Sequence, residues 1–288
     1  MENQRDDRLS LGYIQNYNEG IVITNNKLRT SDFEYLHIYT NGYVDPDTGE
    51  RISPVSRTEE LFHSKLLTTE DVVFITSLFT DNKEIIKNTE RAISAVYALE
   101  EEISSLYPCY LIARIDINNK KLSNIEKEEF DRIITEFNRY VRQSKDKKIN
   151  RLISYNKSFE IGKEKYGDIL YKDKLHCHLT LFIDIEDIIK KHMGISKEIV
   201  DTLLSNYIKI LERYSDDVCC SRWYMKPLRY ISSESLLLRN LGRHWLSYTC
   251  KYTDRDLRYR QRFTGTHLFQ NGRVRQPFEL LSYGGEDD

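Results

Sequence analysis

The sequence predicts an α+β domain: an antiparallel sheet in the split β-α-β order, with helices on one sheet face. Three observations predict it. The first is a short apolar run at residues 175–183, a strand candidate carrying His176 and His178 near its start. The second is the rhythm over residues 110–252, where apolar runs and amphipathic stretches alternate as β-α-β-β-α-β-α. The third is that the last amphipathic stretch follows the last strand, where a helix can lie across the exposed sheet face. In this order the histidine strand is central.

Taken in order, residues 1–83 read as short strands and helices, with alternation at 20–24, an apolar piece at 35–39 and a turn at Asp45-Pro46-Asp47-Thr48-Gly49. Residues 84–106 form a long amphipathic helix through Ile85, Ile86, Ile93, Val96, Tyr97, Leu99 and Ile103, which Tyr107-Pro108 ends. Residues 110–117 are a buried strand broken by Asn118-Asn119-Lys120-Lys121. Ser123-Asn124-Ile125-Glu126 has the form of a capping box, and the stripe Phe130, Ile133, Ile134, Phe137 and Val141 follows it. Residues 152–161 are the second strand, 162–174 a charged loop and 175–183 the third strand, antiparallel to the second. Ser196 caps a helix with the stripe Ile199, Leu203, Tyr207 and Leu211. Residues 223–231 are the fourth strand, restricted by Pro227 to an edge or a bulge. Residues 234–252 are a helix carrying Leu237, Leu241, Trp245, Tyr248 and Tyr252. The chain thus divides into an N-terminal region (1–83), a core domain (84–275) and a tail (276–288).

The 288 residues are 40% hydrophobic and 31% charged, with a mean hydropathy of -0.59, the profile of a soluble globular protein of one or two domains. No apolar run approaches the roughly 20 residues that span a bilayer, and the first residues lack a signal peptide's apolar segment, so a cytoplasmic protein without membrane contact is expected. The five cysteines show no C-x-x-C pair and read as reduced thiols. A net charge of -2 favours no polyanion by itself. Between Arg222 and Arg275, however, twelve Arg and Lys meet only Glu234, Asp254 and Asp256, interleaved with Tyr252, Tyr259, Phe263 and Phe269. That pattern suits either a solvated basic face or a polyanion with stackable bases.

Strand alternation points His176 and His178 to one face, about 7 Å apart along the strand, and Cys177 to the other. Two such imidazoles bind an ion when a third group joins them. Glu160, on the preceding antiparallel strand, is the first candidate and Asp116 the second; Asp116 also suits a pair with Arg114 or a cap of the next turn. A zinc held through His176, Cys177 and His178 conflicts with the alternation. His192, His244 and His267 read as surface or packing residues. On the last helix, Tyr248 and Tyr252 lie one turn apart with Lys251 beside them. A tyrosine hydroxyl can attack phosphorus if a cation and a lysine assist it, although two tyrosines on an amphipathic helix are also ordinary core residues in a chain with 20 of them.

Three stretches together resemble the HUH endonuclease superfamily, and most closely the gene-II-type replication initiators of filamentous phages and their prophage relatives. They are residues 107–116 (Tyr-Pro-Cys-Tyr-Leu-Ile-Ala-Arg-Ile-Asp), residues 176–182 (His-Cys-His-Leu-Thr-Leu-Phe), and residues 246–251 (Leu-Ser-Tyr-Thr-Cys-Lys) with Arg262-Phe263-Thr264-Gly265-Thr266 downstream. The resemblance covers roughly residues 85–270. It implies an HUH-type core with a C-terminal helix carrying the tyrosine, Mg²⁺ or Mn²⁺ held by His176 and His178, and Tyr248 as nucleophile with Lys251 beside the phosphate. Tyr252 is a possible second nucleophile, because Y-x-x-K-Y-x-x-R also resembles the two-tyrosine initiators, with Arg255 where lysine is usual. The implied activity is site-specific nicking and rejoining of single-stranded or supercoiled origin DNA in a bacterial cytoplasm. It starts rolling-circle replication of a phage, prophage or plasmid, with a host helicase and polymerase as partners. A relaxase or transposase shares this chemistry, and a DNA-binding regulator shares the fold without it. Arg243, Arg255, Arg258 and Arg262 are the expected DNA contacts.

Overall fold

The structure, a computed structural model, describes residues 10–14, 23–27, 43–44, 51–52, 65–71, 82–120, 125–166, 170–192, 194–225, 228–250 and 268–277. Its elements are β1 (Ser10–Ile14), β2 (Ile23–Lys27), β3 (Tyr43–Val44), β4 (Arg51–Ile52), α1 (Lys83–Leu106), β5 (Cys109–Asn119), α2 (Lys127–Gln143), β6 (Leu152–Tyr166), β7 (Leu170–Asp184), α3 (Glu186–His192), α4 (Lys197–Glu212), β8 (Val218–Tyr224), β9 (Ile231–Ser232), α5 (Leu236–Ser247), a 3-10 turn (Tyr248–Cys250) and β10 (Phe269–Asn271). They belong to an α+β fold with an open antiparallel sheet. The chain forms two compact units, one of Met1–Tyr110, Ile185–Ile195 and Met225–Tyr252, the other of Leu111–Asp184, Ser196–Tyr224 and Thr253–Asp288.

In the first unit β1 pairs with β2 and β3 with β4, both antiparallel. Helix α1 begins where the Asn82 side chain accepts from the amides of Glu84 and Ile85 (3.1 and 3.3 Å), and it stops at Tyr107 because Pro108 cannot continue it. Its buried face includes Ile93, Val96, Ile103 and Glu100, the last with 0% exposure. A carboxylate so placed must be paired. Glu100 accepts from Arg239 Nε and Nη2 (2.9 and 3.0 Å), Arg243 Nε (2.8 Å), Ser104 Oγ (2.7 Å) and Tyr110 Oη (2.8 Å). Burial alone would push its carboxyl up, but the Arg239 bond and the Arg243 and Arg239 charges hold it below the ordinary range. Arg243 also donates to the Leu67 carbonyl (2.8 Å), and Asn240 brackets Leu67 by accepting from its amide (2.6 Å) and donating to the Lys65 carbonyl (2.8 Å).

The second unit holds the sheet in the order β10-β6-β7-β5-β8. The β6-β7 and β5-β8 pairs are antiparallel. Contacts of Asp116 with His178 and of Asn119 with Leu175 run in opposite senses along β5 and β7, so these neighbours are antiparallel too. Helix α2 links β5 to β6 across the intervening β7, and α4 precedes β8 with β5 between β7 and β8. The α2 stripe Phe130, Ile133, Ile134, Phe137 and Val141 is buried as expected. Phe130 meets Phe159 of β6 edge-on at 6.0 Å, and Phe137 meets Tyr207 of α4 at 5.6 Å. These contacts put both helices on the sheet face that carries Phe159 and Cys177, which are register partners. Alternation then sends Glu160, His176 and His178 to the opposite face.

Several boundaries differ from the sequence reading. Within the expected loop at 162–174, residues 162–166 and 170–174 instead extend β6 and β7 as paired strands, whose register sets Lys163 opposite Asp173 and Glu164 opposite Lys172. The fourth strand is β8, five residues earlier than expected, with Ile231–Ser232 a separate short strand pairing Cys109 and Tyr110. Helix α2 starts at Lys127 with Glu126 at its N-cap, and the Ser123 expectation lies outside the described residues. Ser196 does cap α4, bonding the Ile199 amide at 3.3 Å, but Val200 rather than Ile199 enters the core. The expected helix over 234–252 ends as α5 at Ser247. There Ser247 Oγ bonds the His244 carbonyl (2.7 Å) and Thr249 Oγ1 the Leu246 carbonyl (2.9 Å), so hydroxyls compete for the backbone acceptors and the chain tightens to a 3-10 turn.

Candidate metal centre

His176 and Glu160 are direct register partners on β7 and β6, and His178 lies across from Ser158, so Glu160 stands diagonal to it. The result is a cluster in which one ligating atom each from Glu160, His176 and His178 lies within 4.8 Å of the others. Glu160 Oε2 is 2.9 Å from His178 Nε2 and 3.7 Å from His176 Nε2. The two imidazole rings are 4.8 Å apart at 82°, so their edges converge rather than stack.

Asp116, from the neighbouring β5, supplies the support. Its Oδ1 is 2.6 Å from His178 Nδ1 and 2.9 Å from Arg114 Nε. An ionised carboxylate only accepts, so the ring donates from Nδ1 to Asp116 and from Nε2 to Glu160 (2.9 Å); a metal on this face would take the place of the Nε2 proton and leave the Nδ1 bond to Asp116 intact. Burial would raise the Asp116 carboxyl, but the His178 hydrogen bond and charge, with Arg114 and His176, hold it below its usual range. Burial would lower His178, yet its bonds to Asp116 and Glu160 leave it raised.

These three residues could hold a metal ion. Two donors in adjacent positions at 2.0–2.2 Å from an ion stand about 3 Å apart; Glu160 Oε2 lies 2.9 and 3.7 Å from the two imidazoles, and the three ligating atoms together lie within 4.8 Å. An imidazole whose far nitrogen bonds a carboxylate is the usual arrangement of a metal-ligating histidine. The rim is partly open to solvent: side-chain exposure is 19% at His176 and 24% at Glu160, against 7% at His178. Cys177 takes no part. It is fully buried on the helix face, where burial pushes its thiol far above the ordinary value, so the zinc reading through His176, Cys177 and His178 finds no geometry here.

The structure therefore brings together His176, His178 and Glu160, and sets Asp116, the second-choice ligand, behind His178. Tyr248 opens the 3-10 turn in the first unit, and its side chain lies outside what is described. Lys251, Tyr252, Arg255, Arg258 and Arg262 lie outside the described residues. Arg243 is corrected. It is buried, with its guanidinium on Glu100 and the Leu67 carbonyl, so it serves the first unit's core and is not presented to DNA. His192 is exposed and His244 buried, as surface and packing residues. Sequence reasoning missed Asn119, whose amide donates to the Leu175 carbonyl (2.8 Å) and whose oxygen accepts from the Ile125 amide (2.7 Å), fixing the end of β5 against β7. It also missed Trp223, the penultimate residue of β8, whose ring lies beside the Arg114 that opposes it in register.

No family model matches the chain, and no curated protein or solved structure matches it. Among the described residues, no helix is long and apolar enough to cross a membrane.

Proposed function

We propose that this chain is a metal-dependent, site-specific nickase and strand transferase for single-stranded DNA, of the HUH type, that initiates rolling-circle replication of a phage, prophage or plasmid. The observation that carries the reading is the convergence of Glu160, His176 and His178 on one sheet face, with Asp116 on the far nitrogen of His178. The strand order, with β7 between β6 and β5 and β5 between β7 and β8, supports an HUH-type split core. The Tyr248-x-x-Lys251 spacing supports the nucleophile.

In this reading Glu160, His176 and His178 hold Mg²⁺ or Mn²⁺, which supplies electrophilic pull on a phosphate oxygen. Asp116 keeps the His178 tautomer and ring orientation. Tyr248 contributes the attacking oxygen: its hydroxyl loses its proton as the bond to phosphorus forms, the bond from phosphorus to the 3′-oxygen breaks, and the leaving oxygen takes up a proton as a free 3′-hydroxyl. The 5′-phosphate stays on the protein. Because one ester replaces another, the strand can be rejoined without ATP. Lys251 offsets charge at the phosphate, and Tyr252 is the candidate for a second transfer. Arg255, Arg258 and Arg262 contact the DNA backbone, and a host helicase and polymerase act on the nicked product in the bacterial cytoplasm.

The test is incubation with Mn²⁺ and single-stranded DNA from the protein's own replicon, followed by denaturing electrophoresis and peptide mass analysis. A DNA-linked peptide containing Tyr248, lost in EDTA, in Tyr248→Phe and in His176→Ala, is expected. Tight binding without an adduct across metals would instead assign a DNA-binding regulator.

A further inference from the structure

The edge strand β8 differs from the rest of the sheet. On the face that carries the metal cluster, the inner side chains Asn156, Ser158 and Thr180 are buried, whereas Cys219, Ser221 and Trp223 of β8 are all exposed. Register assigns these three to that face: Ser221 opposes Asp116, and Trp223 opposes Arg114, which shares the Asp116 side. Trp223 is 40% exposed, one of three large hydrophobic side chains so open among the described residues. The Arg114 guanidinium lies over its ring at 5.6 Å, and the same guanidinium holds Asp116, which holds His178. The indole is therefore oriented by a cation that the site itself needs.

We infer that Trp223 is a stacking platform for one unpaired nucleobase of the DNA strand held at the Glu160–His176–His178 site, an inference that rests on the DNA reading above. Two strand spacings across and two residues along the sheet put Trp223 roughly 12 Å from His178 between Cα atoms, a span that a short stretch of extended single strand bridges. An exposed indole face is what a base needs, every base has a π-face, and a duplex would hide it, so the platform selects single-stranded DNA without reading sequence. Arg114 serves here as a positioning residue, because its bond to Asp116 fixes the ring's partner.

The chain has two tryptophans, and the other, Trp245, is 4% exposed, so fluorescence reports the platform directly. The experiment titrates the full-length protein in EDTA with a short oligothymidylate and with an abasic oligomer of equal length. Expected are quenching by the oligothymidylate only, loss of the quenching in Trp223→Leu with affinity lowered roughly 5- to 150-fold, and near-native affinity in Trp223→Phe. Equal quenching by the abasic oligomer, absence of quenching, or unchanged affinity in Trp223→Leu would overturn the inference. So would a dimer by light scattering that Trp223→Leu makes monomeric without affecting DNA, which would assign the indole to self-association. The Tyr248 adduct is read in parallel: an adduct with Trp223 idle removes the platform and keeps the nickase, and stacking without any adduct does the reverse.

Discussion

Asp116→Asn separates a supporting carboxylate from a ligand. The substitution keeps the shape of the side chain and removes its charge, so His178 Nδ1 loses a charge-assisted bond of 2.6 Å and Arg114 loses its anion at 2.9 Å. A charge-assisted hydrogen bond is worth about 1.5–3 kcal/mol, and loss of a carboxylate behind a metal-bound histidine lowers metal affinity about 10- to 100-fold, or about 1.4–2.7 kcal/mol. The two estimates agree. Calorimetric titration of the purified protein with Mn²⁺ should therefore show weakened binding in Asp116→Asn, and binding lost in Glu160→Gln and His178→Ala. Unchanged affinity in a folded Asp116→Asn would refute the supporting role. Affinity lost as completely as in Glu160→Gln would make Asp116 a ligand.

Two further outcomes follow from the packing. Glu100→Gln should cost about 3–5 kcal/mol, measured by urea unfolding, because the buried Arg243 and half-buried Arg239 guanidinium groups lose their buried anion. Since the folded-state carboxyl lies below its ordinary 4.5, its contribution is complete above that pH and fades as the pH falls through the lowered value; the wild type should lose stability on the acid side more steeply than Glu100→Gln, and parallel acid profiles would contradict this. A Cβ at Gly272 would meet Tyr155 Cε1 at 2.6 Å, so Gly272→Ala should cost about 1–3 kcal/mol and speed amide exchange at Phe269–Asn271. Unaltered exchange there would show that the tyrosine ring yields.

Helices α1 and α2 were legible from a strong helical period, the α2 stripe being wholly buried, and strand β5 and the histidine strand as unbroken apolar runs, β5 being buried along nearly its full length. The Glu160–His176–His178 cluster was legible from alternation and pairing. Alternation puts His176 and His178 on one face, and an antiparallel hairpin brings Glu160 alongside. What escaped was structure without an apolar signature. The β6-β7 arms at 162–166 and 170–174 alternate charges rather than hydrophobic residues. Strand β8 lies at the sheet edge with most of its side chains exposed, so it showed no core pattern, and the apolar weight of Trp223 and Tyr224 drew the expected strand too far along the chain. The end of α5 escaped because Tyr248 and Tyr252 continue the helical spacing, whereas local hydroxyl bonds at Ser247 and Thr249 decide the backbone. Arg243 looked like one cation in a basic run, and only the buried Glu100 across from it explains its place.

The most direct measurement is anomalous diffraction from crystals soaked in Mn²⁺. The account predicts one strong peak within about 2.0–2.3 Å of a Glu160 oxygen and the Nε2 atoms of His176 and His178, with Asp116 remaining on His178 Nδ1. A peak elsewhere on the chain, or none at saturating Mn²⁺, would contradict it.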